Sequence, residues 1–273
     1  ILGLIYEELK NNEKSIENYQ KAYQLNPDSE YTLGALFASK MSICDWSNFK
    51  NLKSYFEDKI SKNLKVCTPF ESLHLSASIN TQKKVALLNY KNSFINNNFI
   101  INKNKLKIGY FSSDFYTHAT SQLITGMLQN HNKNQFEVYG FNLDSTYKDF
   151  STEKIAKAIN LIDITNYSIK HIKKVIDDIK IDIAIDLKGF TKNSRPEIFY
   201  NRIAPVQINY LGHPGTLGPN HCDYIIGDKI VIPEYLKNYY FEKIIYLPNS
   251  YQVNDDKQKF NKTEIDRSML GLD

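Results

Sequence analysis

Leu106-Lys107-Ile108-Gly109-Tyr110-Phe111-Ser112-Ser113-Asp114-Phe115 marks the point at which the pattern of this sequence changes. Leu106–Phe111 reads as a buried strand, and the small polar residues after it read as the loop that leaves it. Downstream, strand and helix patterns alternate. Helices are predicted at Ser121–His131, Ser151–Asn160, Ile169–Ile179 and Pro196–Ile203. Strands are predicted at Phe136–Leu143, Leu161–Ile164, Ile181–Leu187, Val206–Leu211, Tyr224–Ile226 and Ile244–Leu247. Strands joined by helices of this length pair in parallel with helices on both faces, so the fold class is α/β, a doubly wound parallel sheet.

Working upstream, the polar run from Asn96 to Asn104 reads as a loop and a domain boundary. Residues 31–103 keep helical spacing, as in Leu33, Leu36, Phe37 and Met41, and form a helical connector. A break is predicted near Thr68-Pro69, because the residue before a proline is pushed out of the helical region. Residues 1–30 match the tetratricopeptide pattern: Leu2-Gly3, Tyr6, Ser15, Tyr19, Ala22 and Pro27. Small residues at Gly3, Ser15 and Ala22 let two helices approach, while Tyr6 and Tyr19 fill the space between them. One such unit cannot bury its own apolar face, and the chain starts at Ile1 in mid-pattern, so further repeats are expected upstream.

With 273 residues, 42% of them hydrophobic, the chain can bury a real core. A net charge of +4, from 34 Lys and Arg against 30 Asp and Glu, is spread along the sequence and gives no case for nucleic acid or an anionic membrane. No run reaches the ~18 apolar residues of a bilayer span, and Ile1-Leu2-Gly3-Leu4 lack a charged leader and run straight into helix-like sequence, so a cytoplasmic protein is expected. Cys44, Cys67 and Cys222 have neither disulfide nor zinc-site spacing and read as buried thiols.

In sheets of this class ligands sit beyond the carboxyl ends of the strands, which singles out three loops. The first runs from Ser112 to Ser121 and feeds a helix whose predicted cap is Thr120 or Ser121; free N–H groups there suit a phosphate or carboxylate. His118 in this loop is a general base, a hydrogen-bond donor to a sugar or phosphate, or a loop cap bonded to a backbone carbonyl. Asp114 reads as a turn stabiliser. The second loop, Lys188–Arg195, either holds a polar ligand through Thr191, Lys192 and Arg195 or is a solvated basic loop; Gly189 permits a backbone that a Cβ forbids. Asp186, inside an apolar strand, needs a partner and reads as the anchor of one of these loops. The third, Leu211-Gly212-His213-Pro214-Gly215-Thr216-Leu217-Gly218-Pro219, is a stiff, bare turn that a ligand can approach along the main chain, with His213 as a surface residue. His131, His171 and His221 read as structural. The sequence has no G-x-G-x-x-G, Walker loop, nucleophile elbow, H-E-x-x-H or metal-spaced His/Cys cluster, so dehydrogenase, P-loop, triad-hydrolase and metalloenzyme readings lack support.

Several words of this sequence resemble the protein O-linked N-acetylglucosamine transferases of the tetratricopeptide-linked, SPINDLY-like kind, in their bacterial form. They are Lys107–Phe115 with His118, Asp186–Thr191 with Arg195, Arg202–Gln207, Leu211–Thr216 with Gly218, and Asp223-Tyr224 through Asp228 and Pro233. Cys44-Asp45-Trp46 and Pro69-Phe70 resemble the helical connector of the same proteins. The resemblance implies a GT-B-type enzyme with two Rossmann-like lobes, residues 104–273 being the first. Its reaction would be an inverting, metal-independent transfer of a sugar from a nucleotide donor to Ser or Thr hydroxyls, with the repeats presenting acceptor proteins. It implies no cofactor beyond the donor, UDP-N-acetylglucosamine or another nucleotide sugar. Carried over, His118 is the family's cleft histidine and Asp186 a supporting cleft residue, while Thr191 and the backbone of Leu211, Gly212 and Pro214 lie near the donor. Ser113, Arg195, His213, Gly215 and Thr216 belong to the same matched words and complete the expected substrate-binding set. Phe190 stands where many bacterial members carry a His. The second lobe, with most nucleotide contacts and a diphosphate-facing lysine, would begin where this sequence ends, so residues 1–273 alone are expected to be inactive. The alternatives are a GDP-fucose donor, as in SPINDLY-type relatives, and a non-catalytic protein-binding scaffold.

Overall fold

The computed structural model describes residues 1–75, 78–91, 104–258 and 266–272. The polar run 96–103, read as a boundary, lies outside the described residues.

The described residues open with the α-helices α1 Leu2–Glu8, α2 Asn12–Leu25, α3 Thr32–Ser42, α4 Phe49–Ser61, α5 Pro69–Ser72 and α6 Ile79–Asn89. In the first pair, a Cβ on Gly3 would lie 2.7 Å from the Tyr19 ring, and the Ser15 hydroxyl donates to the Gly3 carbonyl, so the small residues do allow close approach. The break near Pro69 occurs, and it restarts a helix: Thr68 is extended, accepts the Glu71 N–H and donates its own N–H to the Glu71 carboxylate, a reciprocal capping box. Leu33, Phe37, Phe56, Ile60, Val66, Leu75 and Val85 form the core of this segment.

From residue 104 onward, the elements are β1 Leu106–Ser112, α7 Ala119–Gln129, β2 Phe136–Asn142, α8 Phe150–Ala158, β3 Asn160–Asp163, α9 Ile169–Ile179, β4 Ile183–Asp186, α10 Glu197–Tyr200, β5 Val206–Asn209, β6 Tyr224–Gly227 and β7 Lys243–Tyr246. The seven strands make one parallel sheet in the order β3-β2-β1-β4-β5-β6-β7. Period-two alternation in β1 sends Ile108 and Tyr110 to one face, against α7 and α8, and Phe111 to the other, where it stacks on Phe141 at 4.5 Å and faces α9 and α10. Several elements are shorter than the sequence predicts, among them the strand at Ile181–Leu187, which is confined to Ile183–Asp186. The helix at Pro196–Ile203 ends at Tyr200 because Arg202 takes φ +46°, and the strand at Val206–Leu211 ends at Asn209 because Leu211 takes φ +74°.

The helical segment docks beside the third loop. The Lys83 ammonium donates to the Asn238 carbonyl at 2.6 Å, Tyr90 packs edge-on to Tyr200, and the Phe70 ring lies 6.4 Å from His213. Of the three cysteines expected to be buried, Cys67 and Cys222 are; Cys44 is exposed, in the left-handed turn after α3. Among the described residues no helix is long and apolar enough to cross a membrane.

Candidate functional site

Strand order reverses between β1 and β4, and the loops that leave these two strands flank the crevice such a reversal opens. The third loop leaves β5, the next strand along, so all three turns share the carboxyl rim of one sheet.

The first and second turns are tied by a buried ion pair. Lys188 Nζ donates to both carboxylate oxygens of Asp114, at 2.8 and 2.7 Å, with the side chains 6% and 8% exposed. Asp114 also accepts from the hydroxyls of Ser113 and Thr120, and its carbonyl accepts from Ser121. Those hydroxyls are therefore engaged, and the cap of α7 is His118 instead of the predicted Thr120 or Ser121. Its Nδ1 accepts the Thr120 N–H at 3.2 Å, so it caps an amide and not the carbonyl envisaged from sequence. In that state the neutral ring carries its proton on Nε2, which makes no hydrogen bond among the described residues. Asp114 Oδ2, 3.6 Å from Nδ1, faces the nitrogen that would carry the proton in the other tautomer.

Asp186, at the end of β4, anchors the second turn. One oxygen accepts the N–H groups of Lys188 and Gly189 at 2.9 and 3.0 Å, and the other faces His221 Nε2 at 3.2 Å. Gly189 takes φ +56°, and a Cβ there would lie 2.7 Å from that of His213 in the third turn. Thr191 closes the second turn on itself by donating to the Lys188 carbonyl. Arg195 points the other way: its guanidinium donates to the carbonyls of Ile164 and Tyr167 and pairs with Glu197, fastening the loop to the β3–α9 connection.

In the third turn, Leu211 sits in the left-handed region while the Gly212 N–H bonds the Tyr210 carbonyl, a γ-turn that is strained for a branched side chain. Gly212 cannot be replaced without movement, since its Cβ would lie 2.1 Å from the Leu187 carbonyl oxygen. Asn209 donates to the carbonyls of His213 and Gly215, and Glu242 accepts from the Thr216 hydroxyl and the Leu217 N–H. Pro214 is exposed at the tip, its carbonyl bonded by Tyr240. His213 corrects the sequence reading: it is 3% exposed, wedged between Phe190, Phe70 and the second turn, and burial pulls its pKa down to about 4. His221 is fully buried and stacks on Phe199. Among the described residues no group of three or more His, Cys, Asp or Glu is placed to hold a metal ion.

Reading the sequence alone missed Lys188, Asn209 and Glu242 as organisers of the site. Lys188 carried one usable signal, its place two residues after a strand-end carboxylate.

The profile of the family described as Glycosyl transferase family 41 matches residues 43–270. In Arabidopsis thaliana, the probable UDP-N-acetylglucosamine--peptide N-acetylglucosaminyltransferase SEC is 39% identical over 156 residues, 57% of this chain and 16% of its own length. The UDP-N-acetylglucosamine--peptide N-acetylglucosaminyltransferase of Caenorhabditis elegans is 31% identical over 241 residues, 79% of this chain and 21% of its own. This chain thus spans about a fifth or less of those curated relatives. Among solved structures, a point mutant of the Thermobaculum terrenum O-GlcNAc transferase superposes with a TM-score of 0.55 at 15% identity, covering 92% of this chain and 57% of that one. That likeness is one of fold.

Proposed function

Because the chain belongs to glycosyl transferase family 41, we propose that its three rim turns form one wall of a nucleotide-sugar crevice in an enzyme that glycosylates Ser and Thr hydroxyls of proteins. The observation that carries this reading is the meeting of the turns at the strand-order reversal, with the first two locked by Asp114 and Lys188. The named relatives point to UDP-N-acetylglucosamine as donor.

In an inverting transfer the acceptor oxygen bonds to the anomeric carbon as the bond from that carbon to the diphosphate breaks. The electron pair leaves on the diphosphate and the hydroxyl proton passes to a base. Main-chain N–H groups at the start of α7, apart from the Thr120 N–H that His118 caps, and the bare Gly212–Gly215 backbone are suited to the donor, without a metal. His118 presents Nε2–H as it stands, which orients an oxygen by donation; accepting a proton there requires the other tautomer, with Nδ1–H turned to Asp114. Asp186, Ser113 and Thr191 act by fixing the loops, and acceptor proteins would be held by the helical repeats.

The test is a binding and transfer screen on the full-length protein with UDP-N-acetylglucosamine and GDP-fucose against Ser/Thr peptides. Transfer from the first supports the proposal, turnover of the second alone replaces the donor, and binding of neither overturns it.

A further inference from the structure

We propose that Glu242 is a positioning residue whose carboxylate holds the Gly212–Leu217 main chain in its donor-ready shape and so sets affinity for the nucleotide sugar. The inference rests on reading this turn as part of the donor wall. Glu242 precedes edge strand β7, far in sequence from the turn, and is 4% exposed. Oε2 accepts the Thr216 hydroxyl and Oε1 the Leu217 N–H, both at 2.7 Å, and Thr216 Oγ1 in turn accepts the Phe241 N–H at 3.2 Å. Asn209 grips the other half of the turn through the carbonyls of His213 and Gly215.

Three observations set Glu242 apart from an ordinary sheet-edge acid. A buried carboxylate is costly, and among the described residues no ammonium or guanidinium pairs with it. Both its oxygens are directed to a single turn. That turn opens on the strained Leu211, a conformation that surrounding contacts must hold. Burial pushes the Glu242 pKa above its ordinary value, against the downward pull of the hydrogen bonds from Thr216 and Leu217.

The experiment compares E242A and E242Q with wild type in the full-length enzyme. It reads donor KM and kcat at saturating acceptor, together with amide hydrogen exchange at residues 212–217 without donor. E242A strands a buried N–H and a buried hydroxyl, so donor KM should rise about 10- to 100-fold with kcat little changed and exchange faster in the turn. E242Q can accept from Leu217 with its carbonyl and donate to Thr216 with its amide, so it should fall between the two. Unchanged donor KM in E242A, or an E242Q no better than E242A, overturns the proposal. Should E242A not fold, E242Q decides alone: KM and exchange both raised support it, and either one unchanged overturns it. A wild type that binds no nucleotide sugar, with E242A still loosening the turn, overturns the donor reading and the affinity claim together while leaving the clasp standing.

Discussion

Replacing Lys188 with Met keeps the volume of the side chain and removes the ammonium that, among the described residues, pairs with the Asp114 carboxylate. Breaking a buried ion pair on one side costs about 3–5 kcal/mol, because a charge is left without compensation. Asp114 retains the Ser113 and Thr120 hydroxyls, at 3.2 and 3.4 Å, which places K188M at the lower end, about 3 kcal/mol. For a chain of this size that corresponds to a fall in Tm of roughly 6–12 °C. Urea unfolding of wild type, K188M, D114N and the double variant closes a cycle. Since each single change strands the other member of the pair and the double strands neither, the double should cost less than the sum by about 2 kcal/mol. The Thr120 amide, capped by His118 in the same turn, should exchange faster in K188M. Additive single costs, or single costs below about 1 kcal/mol, would refute the idea that this pair clasps the two turns.

H118N keeps a good N-cap and removes the titratable ring; its Tm should stay near wild type while transfer by the full-length enzyme falls about 10²–10⁴-fold if the ring moves a proton, and wild-type turnover would strike His118 from the reaction. G212A drives a Cβ into a backbone oxygen and should cost about 3 kcal/mol in urea, more than G215A, which meets a side-chain nitrogen of His213 at 2.6 Å. Because His213 binds its proton near pH 6.5 unfolded but only at about 4 folded, stability present above pH 6.5 is lost as pH falls toward 4, by up to about 3 kcal/mol. Half-buried His131, also lowered, adds to the same slope. The urea midpoint of H213F should therefore fall less steeply over that window, and equal slopes would show that His213 does not supply the loss.

The sheet was readable because each strand is a short apolar run bounded by turn residues, and that pattern is local. Ile169–Ile179 was found to the residue, since Ile172 and Ile176 recur at helical spacing on the packed face. What was not readable depends on which distant side chains meet. Glu242 lies in Tyr-Tyr-Phe-Glu-Lys and looks like any polar edge residue; only the return of β7 beside β6 brings it under Thr216. His213, between glycine and proline, has the neighbours of an exposed turn, and the docked helical segment with Phe70 is what covers it. His118 reads from sequence as a loop cap on a carbonyl and not as the helix cap, because histidine is a rare N-cap; Asp114 engages the Thr120 hydroxyl, and its carbonyl that of Ser121, which leaves the helix cap to His118.

The central position of β1 also has a kinetic side. β2 and β3 follow it directly, but Ile108 must wait for Ile183 before its other edge is filled. At ribosomal speed that interval is roughly 4–15 s, during which a half-sheet carries an open edge, the kind of template on which nascent chains associate. Lys188 emerges just behind the strand that closes this edge. The arrival of β4 thus fills the second edge of β1 and neutralises Asp114 in one event, so the floor of the crevice is in place before β5, β6 and β7 extend the sheet.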